Sequence, residues 1–184
     1  MDEKFIIASD IHGSAFWCEK LLAFTEKVQP TKLVLLGDLL YHGPRNPLPV
    51  GHDAKTVFEL LNAWKEKILA VRGNCDAEVD QMVLEFPVLA DYALLNAGGK
   101  SLYLTHGHLT GEKNPPALSK DEVLLNGHTH DPVHKVLENG ILYANCGSVA
   151  LPKAGTPHSC ILFENGEFLW IDLETQEIFD RVTL

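Results

Sequence analysis

The first half of the chain alternates short apolar runs with amphipathic stretches, and the second half changes to paired strands around tight turns. Phe5 to Ser9 is an apolar run that stops at Asp10, the pattern of a buried strand. Ser14 is placed to cap the helix that follows. Phe16/Trp17, Leu21, Phe24 and Val28 recur there at helical spacing, and Pro30 stops it. Lys32 to Leu36 reads as a second strand ending at Gly37-Asp38. A loop carrying Gly43, Pro44, Pro47, Pro49 and Gly51 leads to Asp53, the expected cap of a helix with Val57, Leu60, Leu61 and Trp64 on one face. Ile68 to Val71 is a third strand, before Gly73-Asn74. A β-α-β-α-β start implies parallel strands joined by right-handed crossovers.

Three turn signals follow. Gly98-Gly99 separates Asp91–Ala97 from Lys100–Thr105, Asn139-Gly140 separates Lys135–Glu138 from Ile141–Ala144, and Asn165-Gly166 separates Cys160–Glu164 from Glu167–Asp172. Such pairs predict hairpins, so the second half should be mainly antiparallel. Val123 to Asn126 is a further apolar run, feeding Gly127-His128. The acidic stretch Glu174 to Asp180 reads as a solvated strand face. No repeat or break in composition divides the chain, and one domain is expected over residues 1–184.

Composition narrows the function. The chain is 46% hydrophobic and 22% charged, with a net charge of −10 and a mean hydropathy near zero, as in an ordinary globular protein. No cluster of Lys and Arg offers a track for a phosphate backbone, so duplex nucleic acid is not an expected partner. No apolar run has the length of a membrane span. Met1-Asp2-Glu3-Lys4-Phe5 lacks the basic, apolar and cleavage regions of a signal peptide, which makes the cytoplasm the expected compartment. Cys18, Cys75, Cys146 and Cys160 form no CxxC pair and are read as free thiols.

Five short runs carry the candidate chemistry: Asp10-Ile11-His12, Gly37-Asp38, Gly73-Asn74-Cys75-Asp76, His106-Gly107-His108 and Gly127-His128-Thr129-His130. Each alone is weak: Gly37-Asp38 also reads as an ordinary turn, and the HGH and GHTH runs as surface histidines. All five, however, begin where an apolar strand stops, and ligands in open α/β sheets bind beyond the carboxyl ends of strands. The runs are therefore expected to meet on one sheet edge. They supply carboxylate, imidazole and amide donors in numbers sufficient for two divalent ions, an arrangement suited to phosphate-ester hydrolysis. Oxygen and imidazole donors without thiolate suit Mn²⁺, Fe, Zn²⁺ or Mg²⁺.

The order DxH, GD, GNC, HGH, GHTH resembles the calcineurin-like metallophosphoesterases over nearly the whole chain. His42-Gly43-Pro44-Arg45-Asn46, Arg72-Gly73-Asn74-Cys75-Asp76 and Asn145-Cys146-Gly147-Ser148-Val149 look like the YfcE-type bacterial phosphodiesterases within that superfamily. The resemblance implies an α/β fold of two packed mixed β-sheets flanked by helices, an αββα sandwich. It further implies that Asp10, His12 and His130 bind one metal ion, that Asn74, His106 and His128 bind a second, and that Asp38 bridges them. A carboxylate has the two oxygens such bridging needs.

The resemblance favours Mn²⁺ and a small phosphodiester as substrate. Two ions ~3.5–4 Å apart would share a water, lower its pKa and clamp the phosphate for in-line attack by hydroxide. Asn74, Cys75 and His108 are the expected substrate contacts. Arg45 is a further candidate for a phosphate oxygen, against the simpler reading of a surface ion pair. His42, His52, His134 and His158 lack motif context and read as solvated or core histidines. The departure is Cys75, where most of the superfamily carries a His that assists the leaving group. Two other readings stay open: a non-catalytic scaffold of the vacuolar protein sorting 29 kind, and a nuclease on the same site. Association with further copies of the chain is also open.

Overall fold

The computed structural model describes residues 3–153 and 155–184, so Met1 and Asp2 of the opening pentapeptide lie outside the described residues. The parallel start is present. Strand β1 (Phe5–Ala8) leads through helix α1 (Ala15–Val28) to β2 (Lys32–Leu35), and α2 (Ala54–Asn62) leads to β3 (Ile68–Ala70). β2 pairs in parallel with both β1 and β3. Both predicted caps form: Ser14 accepts from the Trp17 N–H and Asp53 from the Thr56 N–H. Such caps satisfy amide donors that have no partner within the helix. α1 ends at Gln29, in the left-handed conformation just before Pro30.

A short helix α3 (Glu78–Gln81) precedes the hairpin half. There follow β4 (Ala93–Ala97), β5 (Lys100–Leu104), β6 (Val123–Asn126), β7 (Val133–Val136), β8 (Leu142–Asn145), β9 (Ser159–Glu164), β10 (Glu167–Asp172) and β11 (Ile178–Thr183). All three predicted hairpins are present, as β4–β5, β7–β8 and β9–β10. The strands form two sheets, in the orders β11-β10-β9-β1-β2-β3 and β4-β5-β6-β8-β7.

The second sheet departs from the mainly antiparallel expectation. Its centre is parallel, because β6 lies between β5 and β8 and runs with both. The β5-to-β6 and β6-to-β8 segments are long enough to cross over, and the hairpin turns constrain only the edge strands β4 and β7.

Strand alternation builds two cores. Ile6 and Ala8 of β1 and Leu33 and Leu35 of β2 face α1 and α2, with Leu21, Val57 and Leu61. Their neighbours Phe5, Ile7, Val34 and Leu36 face the second sheet and meet Leu102, Leu104, Val123 and Leu125. Strands buried on both faces explain the unbroken apolar runs. Each fully buried Ile, Leu or Phe contributes on the order of 1.5–3 kcal/mol. A smaller cluster, Leu124, Ile141 and Tyr143, lies on the other face of the second sheet with Tyr103, Leu118, Val133 and Leu137 against it. Helical cover is thus concentrated on the first sheet. No helix among the described residues is long and apolar enough to cross a membrane.

Candidate metal centre

The five runs meet, on the ends of two sheets rather than one. Asp10 and His12 follow β1, Asp38 follows β2 and Asn74 follows β3, all in the first sheet. His106 follows β5, and His128 and His130 follow β6, in the second. Packing the sheets face to face brings these strand ends together. The backbone locks the join: Asp10 Oδ2 accepts from the His128 N–H across the sheets at 2.9 Å.

Five of these residues sit in the left-handed backbone region: Asp10 (φ 61°), His12 (50°), Asp38 (56°), His128 (66°) and His130 (61°). Each such non-glycine residue costs about 1–2 kcal/mol. Strain of that kind persists where surrounding structure over-determines it, typically at functional sites. Here Asp76 is part of what holds it. Its buried carboxylate accepts from the backbone N–H groups of Asp38 (2.7 Å), Leu39 (2.9 Å) and Gly73 (2.7 Å). Close approach of the two loops leaves no room at Gly73, where a Cβ would overlap Asp38.

The side chains converge tightly. His130 Nε2 lies 3.1 Å and His12 Nε2 3.5 Å from Asp10 Oδ1. Asp38 Oδ2 faces both halves of the cluster, 3.8 Å from His12 Nε2 and 3.5 Å from His106 Nε2. His106 Nε2 in turn lies 3.1 Å from Asn74 Oδ1 and 3.2 Å from His128 Nδ1.

Three of the imidazoles are oriented from behind. Nδ1 donates to the carbonyl of Tyr41 in His12 (2.8 Å), of Leu36 in His106 (2.7 Å) and of Leu151 in His130 (2.6 Å). A carbonyl only accepts, so Nδ1 carries hydrogen and Nε2 turns toward the cluster, the usual support of metal-bound histidine.

Electrostatics point the same way. Burial opposes the charge on Asp10, yet His106, His12 and His130 outweigh it and hold the carboxyl well below its usual range. Burial likewise opposes protonation of His106, but Asp10 and Asp38 push it up to about 9. Buried carboxylates that stabilise the protonated form of His106 favour positive charge at the centre, which a divalent cation would supply. Asp10 Oδ1 is buried without a hydrogen-bond partner among the described residues. A polar atom is rarely left so, and a cation against it removes the anomaly. Asp10, His12 and His130 form one compact donor set, and Asp10, Asp38 and His106 another.

A model of the calcineurin-like phosphoesterase superfamily domain matches residues 4–167. The chain belongs to that superfamily. It is 45% identical over 181 residues to the phosphodiesterase YfcE of Escherichia coli K12, covering 98% of each chain. The solved structure of the E. coli phosphoesterase YfcE matches with a TM-score of 0.94 over 98% of each chain. The probable metallophosphoesterase YsnB of Bacillus subtilis is 31% identical over 156 residues, 80% of this chain and 76% of that one. The zinc complex of Vps29 from Entamoeba histolytica has a TM-score of 0.63 at 17% identity, covering 98% of each chain, and shares the fold.

A cleft of about 460 Å³ opens over the centre, lined by Asp38, Asn74, Cys75, His128 and His130 and, at its rim, Arg45 and Lys153. Cys75 is half-buried beside Asp38. Burial and then that carboxylate push its thiol up to about 12. His108 lies elsewhere, in a neighbouring cleft of about 370 Å³ with Asn126 and Tyr143. His128 and Thr129 line both clefts.

The remaining histidines lie outside the donor cluster. His158 stacks on Trp17 with ring centroids 3.5 Å apart, and His134 pairs with Asp180 at 3.3 Å. His42 and His52 lie edge to face, 5.4 Å apart. Asp76, which holds the Asp38 loop, and Lys153, which lines the cleft, are placed at the centre without having been assigned by the motifs. Asp76 closes a run whose other residues are the candidate ligands, and Lys153 stands in a loop with no motif.

Proposed function

We propose that this protein is a metal-dependent phosphodiesterase with a two-ion centre. The observation that carries the reading is the convergence of seven oxygen and nitrogen donors, from both sheets, beneath an open cleft, with Asp10, His12, Asp38, His106 and His130 buried and Asn74 and His128 on the open side. Asp10, His12 and His130 would hold one ion and Asn74, His106 and His128 the other. Asp38 would bridge them, as the position of its Oδ2 between His12 and His106 suggests. When bound, such ions act as Lewis acids on phosphate oxygens and lower the pKa of a water that attacks phosphorus. Mn²⁺ is the proposed metal.

The chain's own groups do the rest. Carbonyls of Tyr41, Leu36 and Leu151 fix three imidazoles, and the Cys75 N–H, 2.8 Å from Asp38 Oδ1, fixes the bridging carboxylate. Asn74 and Cys75 line the cleft where a phosphoryl group would sit. Donors aimed at a phosphate in such a site stabilise the charge that develops in the transition state. His108 would reach a substrate from the neighbouring cleft. A small phosphodiester fits a cleft of this size better than a long strand would, given the chain's acidic balance. The scaffold reading is less well supported, because every expected ligand position here is filled.

The test uses protein stripped of metal and reloaded with Mn²⁺, given bis(4-nitrophenyl) phosphate, 4-nitrophenyl phosphate and single-stranded DNA. Diester hydrolysis is expected, and Asp38→Asn should reduce it by at least about a hundredfold, the cost of losing even a strong outer partner of a metal ligand. No turnover of any of the three would end the enzyme reading. DNA cleavage as efficient as that of the small diester would turn it into a nuclease.

A further inference from the structure

The cleft offers more positive charge than one phosphodiester needs. A diester group carries a single negative charge, which the proposed ions at the floor would already meet. Arg45 and Lys153 nevertheless stand at the rim, both exposed and neither ion-paired among the described residues. Asp38, on the floor, is the only carboxylate among the described lining residues. In a chain of net charge −10, such a local excess of cations points to an anionic ligand.

Both cations ride on backbone tied to the metal centre. Asn46 Nδ2 donates to the His42 carbonyl at 2.9 Å, closing the turn that presents Arg45. Within that turn Gly43 (φ 80°) packs so closely on Cys75 that a Cβ would lie 3.1 Å from its Sγ. On the other side, the Lys153 N–H donates to the carbonyl of His130 at 3.1 Å, and the Leu151 carbonyl accepts from the His130 ring. The loop that orients His130 therefore also places Lys153. A cleft of about 460 Å³ is in the ~300–1,000 Å³ range of sites that enclose whole small ligands.

We propose that Arg45 and Lys153 form a subsite for a second anionic group, so that the substrate is a phosphodiester whose non-reacting arm carries its own carboxylate or phosphate. This rests on the phosphodiesterase reading and names the substrate class. Arg45 would grip two anion oxygens through its planar fork, and Lys153 would act as a point charge.

Two diesters of 4-nitrophenol test it, one with a 4-carboxyphenyl arm and one with the isosteric, uncharged 4-carbamoylphenyl arm. In both, water adds to phosphorus and the P–O bond to 4-nitrophenolate breaks, so release of that chromophore reports the same step. The wild type should favour the carboxylate arm in kcat/KM by about tenfold, the lower end of what charge-assisted hydrogen bonds supply. Arg45→Ala and Lys153→Ala should each bring that ratio toward one, and raised ionic strength should shrink it. A wild-type ratio of one overturns the proposal. So do variants that slow both substrates by the same factor, since the two cations would then serve the reacting phosphate alone. If neither diester is turned over, the phosphodiesterase reading falls separately. Calorimetric binding of the same pair then decides the subsite, with equal affinities counting against it.

Discussion

At the scale of single residues, Cys75 and His106 set the chemistry apart. A thiol pushed up to about 12 is a poor acid at neutral pH, and it stands where the family resemblance leads one to expect an imidazole. The wild type should therefore hydrolyse diesters with stable aryl leaving groups and falter on alkyl ones, which need a proton. Cys75→His should raise kcat/KM for an alkyl-leaving diester by about a hundredfold, the lower end of general-acid contributions, and change the aryl diester little. Equal wild-type turnover of both diesters would show that Cys75 merely packs. His106 makes a second test, on metal uptake. Its folded, metal-free pKa of about 9 keeps it protonated at neutral pH, and a metal binds only the deprotonated ring. Binding should thus release a proton, and apparent affinity should rise by up to about tenfold from pH 7 to pH 8 as that proton becomes easier to remove. Titration in weakly buffered solution would detect the released proton. An affinity flat across this interval would mean that His106 is already neutral.

At the scale of elements, the loops after β2 and β3 interlock through glycine. Gly37 (φ 98°) has no room for a side chain against Gly73, and a Cβ on Gly73 would drive into Asp38. Gly73→Ala should cost at least about 1–3 kcal/mol, the range for overpacking a close-packed site. It should also reduce bound metal, because the displaced residue is the proposed bridging carboxylate. Thermal unfolding with metal analysis checks both, and a variant of normal metal content would show that the loops adapt. What was legible in the sequence follows the same local logic. Ser14 and Asp53 cap where expected, and glycine- or asparagine-containing turns mark three hairpins. The candidate ligand residues show themselves because each follows an apolar run that reads as a buried strand and all five runs share that setting. Pairing between distant strands leaves no such mark. The four residues of β6, three of them apolar, cannot announce that they run parallel to both neighbours. The acidic stretch Glu174 to Asp180 reads as a solvated strand face, but the strand is β11, Ile178–Thr183; exposed along most of its length, it lacks the alternation that would fix its bounds. The role of Asp76 exists only once two loops meet, and Lys153 reaches the cleft only through a bond to His130.

At the scale of the whole molecule, the centre is a joint between two sheets. The first sheet supplies Asp10, His12, Asp38 and Asn74, and the second His106, His128 and His130. Without cations, the protein must hold buried carboxylates and imidazoles together by protonation and by a few crossing bonds such as Asp10–His128 and His106–Leu36. Bound ions would replace that arrangement with ties across the interface, stabilising the folded state by mass action. At free metal a hundredfold above its dissociation constant, one site adds about 2.7 kcal/mol. For a chain of this length that is a rise in Tm of roughly 5–10 °C. Chelation should reverse it, and Asp38→Asn should blunt the response without touching either core. Hydrogen exchange should locate the effect. Gly127–His130, whose amides reach Asp10 and His106, and Asp38–Leu39, held by Asp76, should lose protection when metal is removed. The β10–β11 hairpin at the far edge of the first sheet should exchange as before. A uniform loss across both regions would mean that metal stabilises the fold as a whole rather than the joint. No loss in either would mean that the two sheets hold the ligand cage in place before any ion arrives.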